Sequence, residues 1–154
     1  LVAGFLYTHK DGQDDSADVT THNATGSYFQ PLYAMFGQYD GLMHNWLFSG
    51  VDADANGVDD ASGIDFIYFW ADYQLMEKLL LHVAWGYALA AETAATVDSA
   101  LGHEIDFGAF YTLGKGLTLG LQIGYFMPLD GWEDLVGGVA DNHLHVSGEI
   151  KLQF

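Results

Sequence analysis

Between residues 103 and 127 apolar and polar positions trade places almost at every step. Leu117, Leu119, Leu121, Ile123 and Tyr125 fall on one side, and Thr118, Gly120, Gln122 and Gly124 on the other. This is the period-2 pattern of a β-strand, whose side chains point alternately to its two faces. Upstream, Ile105, Phe107, Ala109 and Tyr111 alternate with Glu104, Asp106, Gly108 and Thr112, and Phe110 breaks the polar side. Between the two runs lies Leu113-Gly114-Lys115-Gly116, short and glycine-rich as a tight hairpin turn requires.

The same alternation recurs along the chain. Leu79, Leu81, Val83, Trp85, Tyr87 and Leu89 oppose His82, Ala84, Gly86, Ala88 and Ala90. At the C-terminus Leu144, Val146, Ile150, Leu152 and Phe154 oppose His143, His145, Ser147, Glu149, Lys151 and Gln153. Further strands are predicted at 1–10, 27–37, 42–49 and 64–73, giving about eight strands of roughly ten residues, the length of a tilted bilayer-spanning strand. Long polar connections at 11–26, 50–63, 92–100 and 128–141 alternate with short turns near 38–41, 74–77 and 114–116. In a sequential meander every long loop then emerges at one end. Those loops carry most of the acids, whereas Lys78, Lys115 and Lys151 lie at or near the other end. The expectation is one all-β domain over 1–154, an antiparallel up-and-down barrel.

Alternation alone does not say which face meets water. In a soluble barrel or sandwich the apolar side packs inward; in a transmembrane barrel it turns outward to lipid. The polar side here is rich in small uncharged residues (Ala84, Gly86, Ala88, Gly108, Gly120, Gly124), where a soluble surface would place Lys or Glu. The apolar side is dense in Trp, Tyr and Phe, as lipid-facing girdles are. Both features favour the transmembrane barrel. No apolar run approaches the ~20 residues of a membrane-spanning helix. The net formal charge of −17, with four lysines and no arginine, excludes a nucleic-acid partner, whose counterions nothing here displaces. Cysteine is absent, which removes disulfides and thiolate metal sites. The chain starts at Leu1 without a signal peptide, as a processed secreted protein or a piece of a longer one would.

Ile150-Lys151-Leu152-Gln153-Phe154 resembles the closing strand of bacterial outer-membrane barrels, which ends in Phe and carries the signal read by the barrel assembly machinery. Ile150, Leu152 and Phe154 match that signal; Gly148 sits one position earlier than in its commonest form. Gly102 to Asp106, Leu113 to Tyr125 and Phe126-Met127-Pro128-Leu129-Asp130 are similar to the last hairpin of the alginate-export family of outer-membrane channels. Phe29 to Tyr33 and Tyr39 to Met43 are similar to an earlier piece of it. The resemblance implies the C-terminal portion of a larger barrel in the bacterial outer membrane, in contact with its lipid. The family's channel is lined by basic residues, whereas here arginine is absent and the matching strands supply no basic ladder, so the resemblance carries over the channel class and not a polyanionic substrate.

From strand parity, the predicted lumen-lining residues are His82, Glu104, Asp106, Thr112, Thr118, Gln122, His145, Ser147, Glu149 and Lys151. Acids outnumber bases among these and the loops, so the expected function is passive passage of small solutes with a preference for cations. The alternatives are a small closed eight-stranded barrel serving as an anchor or adhesion platform, and a soluble lipocalin-like ligand-binding barrel. One further motif stands in the 50–63 loop. Asp52, Asp54, Asn56, Val58 (by its carbonyl) and Asp60 follow the spacing of a calcium loop, with Gly57 at the turn, but Gly63 stands where the bidentate Glu belongs. A weak calcium site or a solvated acidic loop are both open. The histidines lack metal-site spacing. Ser147, His145 and Glu149 share one strand face without forming a nucleophile–base relay, so no enzyme is expected.

Overall fold

A computed structural model describes residues 1–10, 34, 64–91, 98–114, 116–136 and 138–152. It contains β1 (Val2–Lys10), β2 (Ile64–Met76), β3 (Leu79–Leu89), β4 (Ala100–Gly114), β5 (Leu117–Pro128), α1 (Asp130–Val136) and β6 (His143–Leu152). The six strands form one antiparallel sheet in sequence order, β1-β2-β3-β4-β5-β6. The all-β expectation holds, and the sheet is open: among the described residues β1 and β6 are its two edges.

Three features differ most from the sequence reading. β2 runs on to Met76, so the β2–β3 turn is Glu77-Lys78 and not 74–77. The acidic connection after β5 contains α1, where only a loop was predicted. Most consequential, β1 pairs directly with β2, from Val2↔Asp72 to Lys10↔Ile64. The predicted strands at 27–37 and 42–49 therefore do not lie between them, as a sequential eight-strand meander required. Apart from Ala34, those two segments fall outside the described residues.

Between β4 and β5 the turn is made by Gly114 (φ 111°) and Gly116 (φ 76°), in left-handed backbone that a Cβ disfavours. The strand ends joined by the short β2–β3 and β4–β5 connections lie at one end of the sheet, and those joined by the long connections, with α1, at the other.

Residues opposite one another in an antiparallel pair share a face, so the register defines rows across the sheet. One row reads Phe5–Phe69–Trp85–Ile105–Tyr125–Leu144, and its neighbour reads Ala3–Ala71–Val83–Phe107–Ile123–Val146. These side chains form the outer face and much of it is exposed. On the inner face the rings of Phe66, Tyr68 and Trp70 stack along β2, with centroids 6.0 and 5.3 Å apart. Opposite them on β3 stand Ala88, Gly86 and Ala84. The small residues read from the sequence thus make room for their neighbours' rings. Phe66, Leu101 and Phe126 are almost wholly buried, and Trp132 of α1 meets Phe126 edge-on at 6.0 Å. The buried core lies on this inner face, toward the long-loop end.

Candidate functional site

The inner face is the candidate site, and β4 shows most plainly how it is made. Ile105 is 49% exposed, while Glu104 and Asp106 on either side of it are each 0% exposed. The strand turns its acids inward and its aliphatic side chain outward. The same polarity holds across β3, β5 and β6, because the register locks the parity of each strand to the next.

Every residue predicted from parity to line a lumen falls on this face. His82, Gln122 and Ser147 occupy one row with Gly108; Asp106 and His145 flank Gly124; Thr112, Thr118 and Lys151 form a third row; and Glu149 stands opposite Gly120. Glu104 lies opposite Phe126, which brings His143 to the same row.

Hydrogen bonds tie these side chains across strands. His82 Nδ1 and Asp72 Oδ1 are 2.7 Å apart. Ser147 donates to Gln122 Oε1 at 3.2 Å, and Gln122 Nε2 donates to Glu149 Oε2 at 3.4 Å. The hydroxyls of Thr112 and Thr118 stand 3.5 Å apart. Glu104 accepts the backbone N–H of Ala34, itself buried. Ala34 belongs to the 53-residue connection between β1 and β2 (64 − 10 − 1), so that connection touches the inner face at this residue. A buried carboxylate holding a backbone N–H compensates part of its own desolvation.

At the long-loop end α1 caps the face. Its first turn closes on Leu129, whose carbonyl accepts from the N–H groups of Trp132 and Glu133. Asp134 accepts the N–H of Asp98, Asp98 accepts that of Ala100, and Glu133 accepts that of Ala140. The helix is thereby pinned to the connection that feeds β4.

Parity reasoning missed several inner-face residues. Asp72 shares a face with Phe66, Tyr68 and Trp70 of β2, a sign present in the sequence but obscured by the aromatics on both sides of that strand. Asp65 lies on the outer face and accepts a hydrogen bond from the Tyr7 hydroxyl at 2.7 Å. Phe110, the residue that broke the polar side of β4, also points inward, over Gly120.

Of the residues matched to the assembly signal, Ile150 and Leu152 are exposed on the outer face, and Phe154 lies outside the described residues. So do Asp52, Asp54, Asn56, Val58 and Asp60 of the calcium-type loop. Among the described residues no group of three or more His, Asp or Glu side chains is placed to hold a metal ion. No described helix is long and apolar enough to cross a membrane. In comparison with known proteins, no family model, no curated protein and no solved structure matches the chain.

Proposed function

We propose that this chain is an outer-membrane β-barrel protein, or the closing part of a larger one, that acts as a passive, cation-preferring channel for small solutes. The observation that carries the reading is the inverted polarity of the sheet. From the row of Leu79, Tyr111, Leu119 and Ile150 to that of Phe5, Phe69, Trp85, Ile105, Tyr125 and Leu144, no outer-face residue is charged. Glu104 and Asp106 are meanwhile fully buried on the inner face. A water-soluble sheet does the reverse, and an exposed apolar surface this continuous calls for a cover.

Lipid suits that cover. With the next outer-face row, Tyr7, Ile67 and Tyr87, included, a strand advances about 27 Å from Leu79 to Tyr87 at ~3.4 Å per residue. Tilted as barrel strands are, this gives a band roughly 20 Å tall, near the ~25 Å apolar belt of outer-membrane barrels. Tyr7, Tyr87 and Tyr125 toward one margin, and Tyr73 and Tyr111 toward the other, resemble interfacial girdles. Cation preference rests on the inner-face acids Asp72, Glu104, Asp106 and Glu149, against which the strands β2 to β6 carry one lysine, Lys151. The resemblance to the alginate-export family agrees with the channel class, and the absence of arginine speaks against a polyanion as cargo. Insertion would use the barrel assembly machinery through Ile150, Leu152 and Phe154.

A closed barrel serving as anchor is the second reading. It is favoured by the filling of the inner face at the long-loop end, where Phe66, Tyr68, Phe126, Trp132 and Ala34 are packed. Planar bilayers with a tenfold KCl gradient separate the two. A reversal potential of the sign set by potassium supports the channel, and an anion-selective potential refutes its selectivity. Absence of conductance, with the protein resisting alkaline extraction from vesicles, supports the anchor. Monodispersity without detergent rejects both.

A further inference from the structure

The inner face also holds a recess of about 400 Å³ at the short-turn end, within the size range of small-molecule sites. Glu77 and Lys78 of the β2–β3 turn line one side, Glu149 and Lys151 of β6 the other, and Leu80 and Phe110 lie on the sheet between them. The charges of these walls cancel, in a chain whose net charge is −17 and which has only four lysines. Among the described residues no ion pair engages any of the four charged groups. Both signs are therefore available to a ligand.

Gly120 shapes the floor. It lies between Phe110 on β4 and Glu149 on β6. A Cβ there would stand 2.9 Å from Phe110 Cδ1 and 3.2 Å from Glu149 Cβ. The missing side chain thus lets the ring of Phe110 lie across to the side chain of Glu149. A ring beside a carboxylate is a favourable seat for an ammonium group, through the ring's negative face and a charge-assisted hydrogen bond. Lys151 follows on the same face of β6, about 7 Å along the strand, opposite Thr118. Its ammonium group suits a carboxylate.

We propose that this recess is a binding subsite for zwitterionic solutes of the amino-acid or short-peptide class. Glu149 and the Phe110 ring take the ammonium group, Lys151 takes the carboxylate, and an apolar side chain rests toward Leu80. The proposal names the solute class for the proposed channel and rests on that reading for its physiological use. A solute with one charge leaves Glu149 or Lys151 without its counterpart, and that difference is the basis of discrimination.

The test is calorimetric titration of the full chain in detergent micelles with L-leucine, N-acetyl-L-leucine, L-leucinamide and glucose. L-leucine is expected to bind at least about tenfold more tightly than either singly charged derivative, and glucose not to bind. Glu149→Gln keeps the acceptor for Gln122 and is expected to weaken L-leucine but not N-acetyl-L-leucine. Lys151→Met is expected to weaken L-leucine but not L-leucinamide. Both variants lie at exposed or half-exposed positions, and circular dichroism checks that they keep their β-structure. Equal affinity for the three leucine compounds, preference for glucose, or no binding at millimolar concentration overturns the proposal. Binding is read without conduction, so binding in a non-conducting protein rejects only the channel, and conduction without binding rejects only the subsite.

Discussion

Val83 stands in the middle of the outer apolar band, between Ala71 and Phe107 on the neighbouring strands, and is 48% exposed. Against lipid, Val83→Lys should cost about 2–4 kcal/mol, as lysine does near the bilayer midplane; against water a surface change of this kind stays within about 0.5 kcal/mol. We expect the larger value in urea unfolding from phospholipid vesicles, and the smaller one would argue against a lipid-facing surface. Gly102 offers a test of the inner face. Its φ of 153° disfavours a side chain, and an added Cβ would meet Phe126 Cε2 at 2.5 Å and the carbonyl oxygen of Met127 at 2.7 Å. Gly102→Ala is therefore expected to lower stability by about 2 kcal/mol in the same assay. Single residues also show where the sequence was readable. Glu104, Gln122 and Ser147 were placed on their face by parity alone, because period 2 leaves only two choices and the apolar partner set takes one. Phe110 was read as a flaw in the pattern. It is instead the complement of Gly120 across the strand, a pairing visible only once register is known.

At the scale of elements, α1 has only seven residues, too few for an isolated helix to persist in water. Asp130 and Glu133 in its first turn suit the positive end of its dipole, but its position depends on Trp132 packing on Phe126. Trp132→Ala is expected to cost about 3 kcal/mol of local stability. Hydrogen exchange should then rise in 129–140 while 117–127 stays protected; unchanged exchange in the helix would show that the acidic hydrogen bonds to Asp98 and Ala140 suffice. A helix of seven residues leaves little periodicity to detect, so the sequence reading saw only an acidic loop. The strands were legible in type because each repeats its alternation over many residues. Their ends were less so: β2 runs past Tyr73 through Gln74, Leu75 and Met76, where the outer-face pattern dissolves at the turn.

For the molecule as a whole, the selectivity of the proposed channel is what its charge would set. Glu104→Gln keeps an acceptor for the Ala34 N–H while removing a charge, and Asp106→Asn removes a second. Together they are expected to lower the potassium-over-chloride permeability ratio by about threefold or more in planar bilayers; an unchanged ratio would place selectivity elsewhere, in the acidic loops. The one architectural point that alternation could not supply was the partner of β1. Hydrophobic pattern fixes which face a strand presents, not which strand it joins, and the apolar–aromatic run of residues 1–10 would fit beside any strand of matching polarity.

That pairing sets an order of events. β2 through β6 join neighbours through connections of at most 14 residues, the 129–142 stretch being the longest (142 − 129 + 1). β1 meets β2 across sequence separations of 54 (64 − 10) to 70 (72 − 2). Closing the longer loop costs more chain entropy before any contact repays it, so β1 should be the last strand to dock and the first to leave. Pulse-labelled exchange during refolding into vesicles would then find amides of Phe5 and Tyr7 gaining protection after those of Ile105 and Ile123. Simultaneous protection would mean that β1 is recruited by something nearer than its position along the chain suggests.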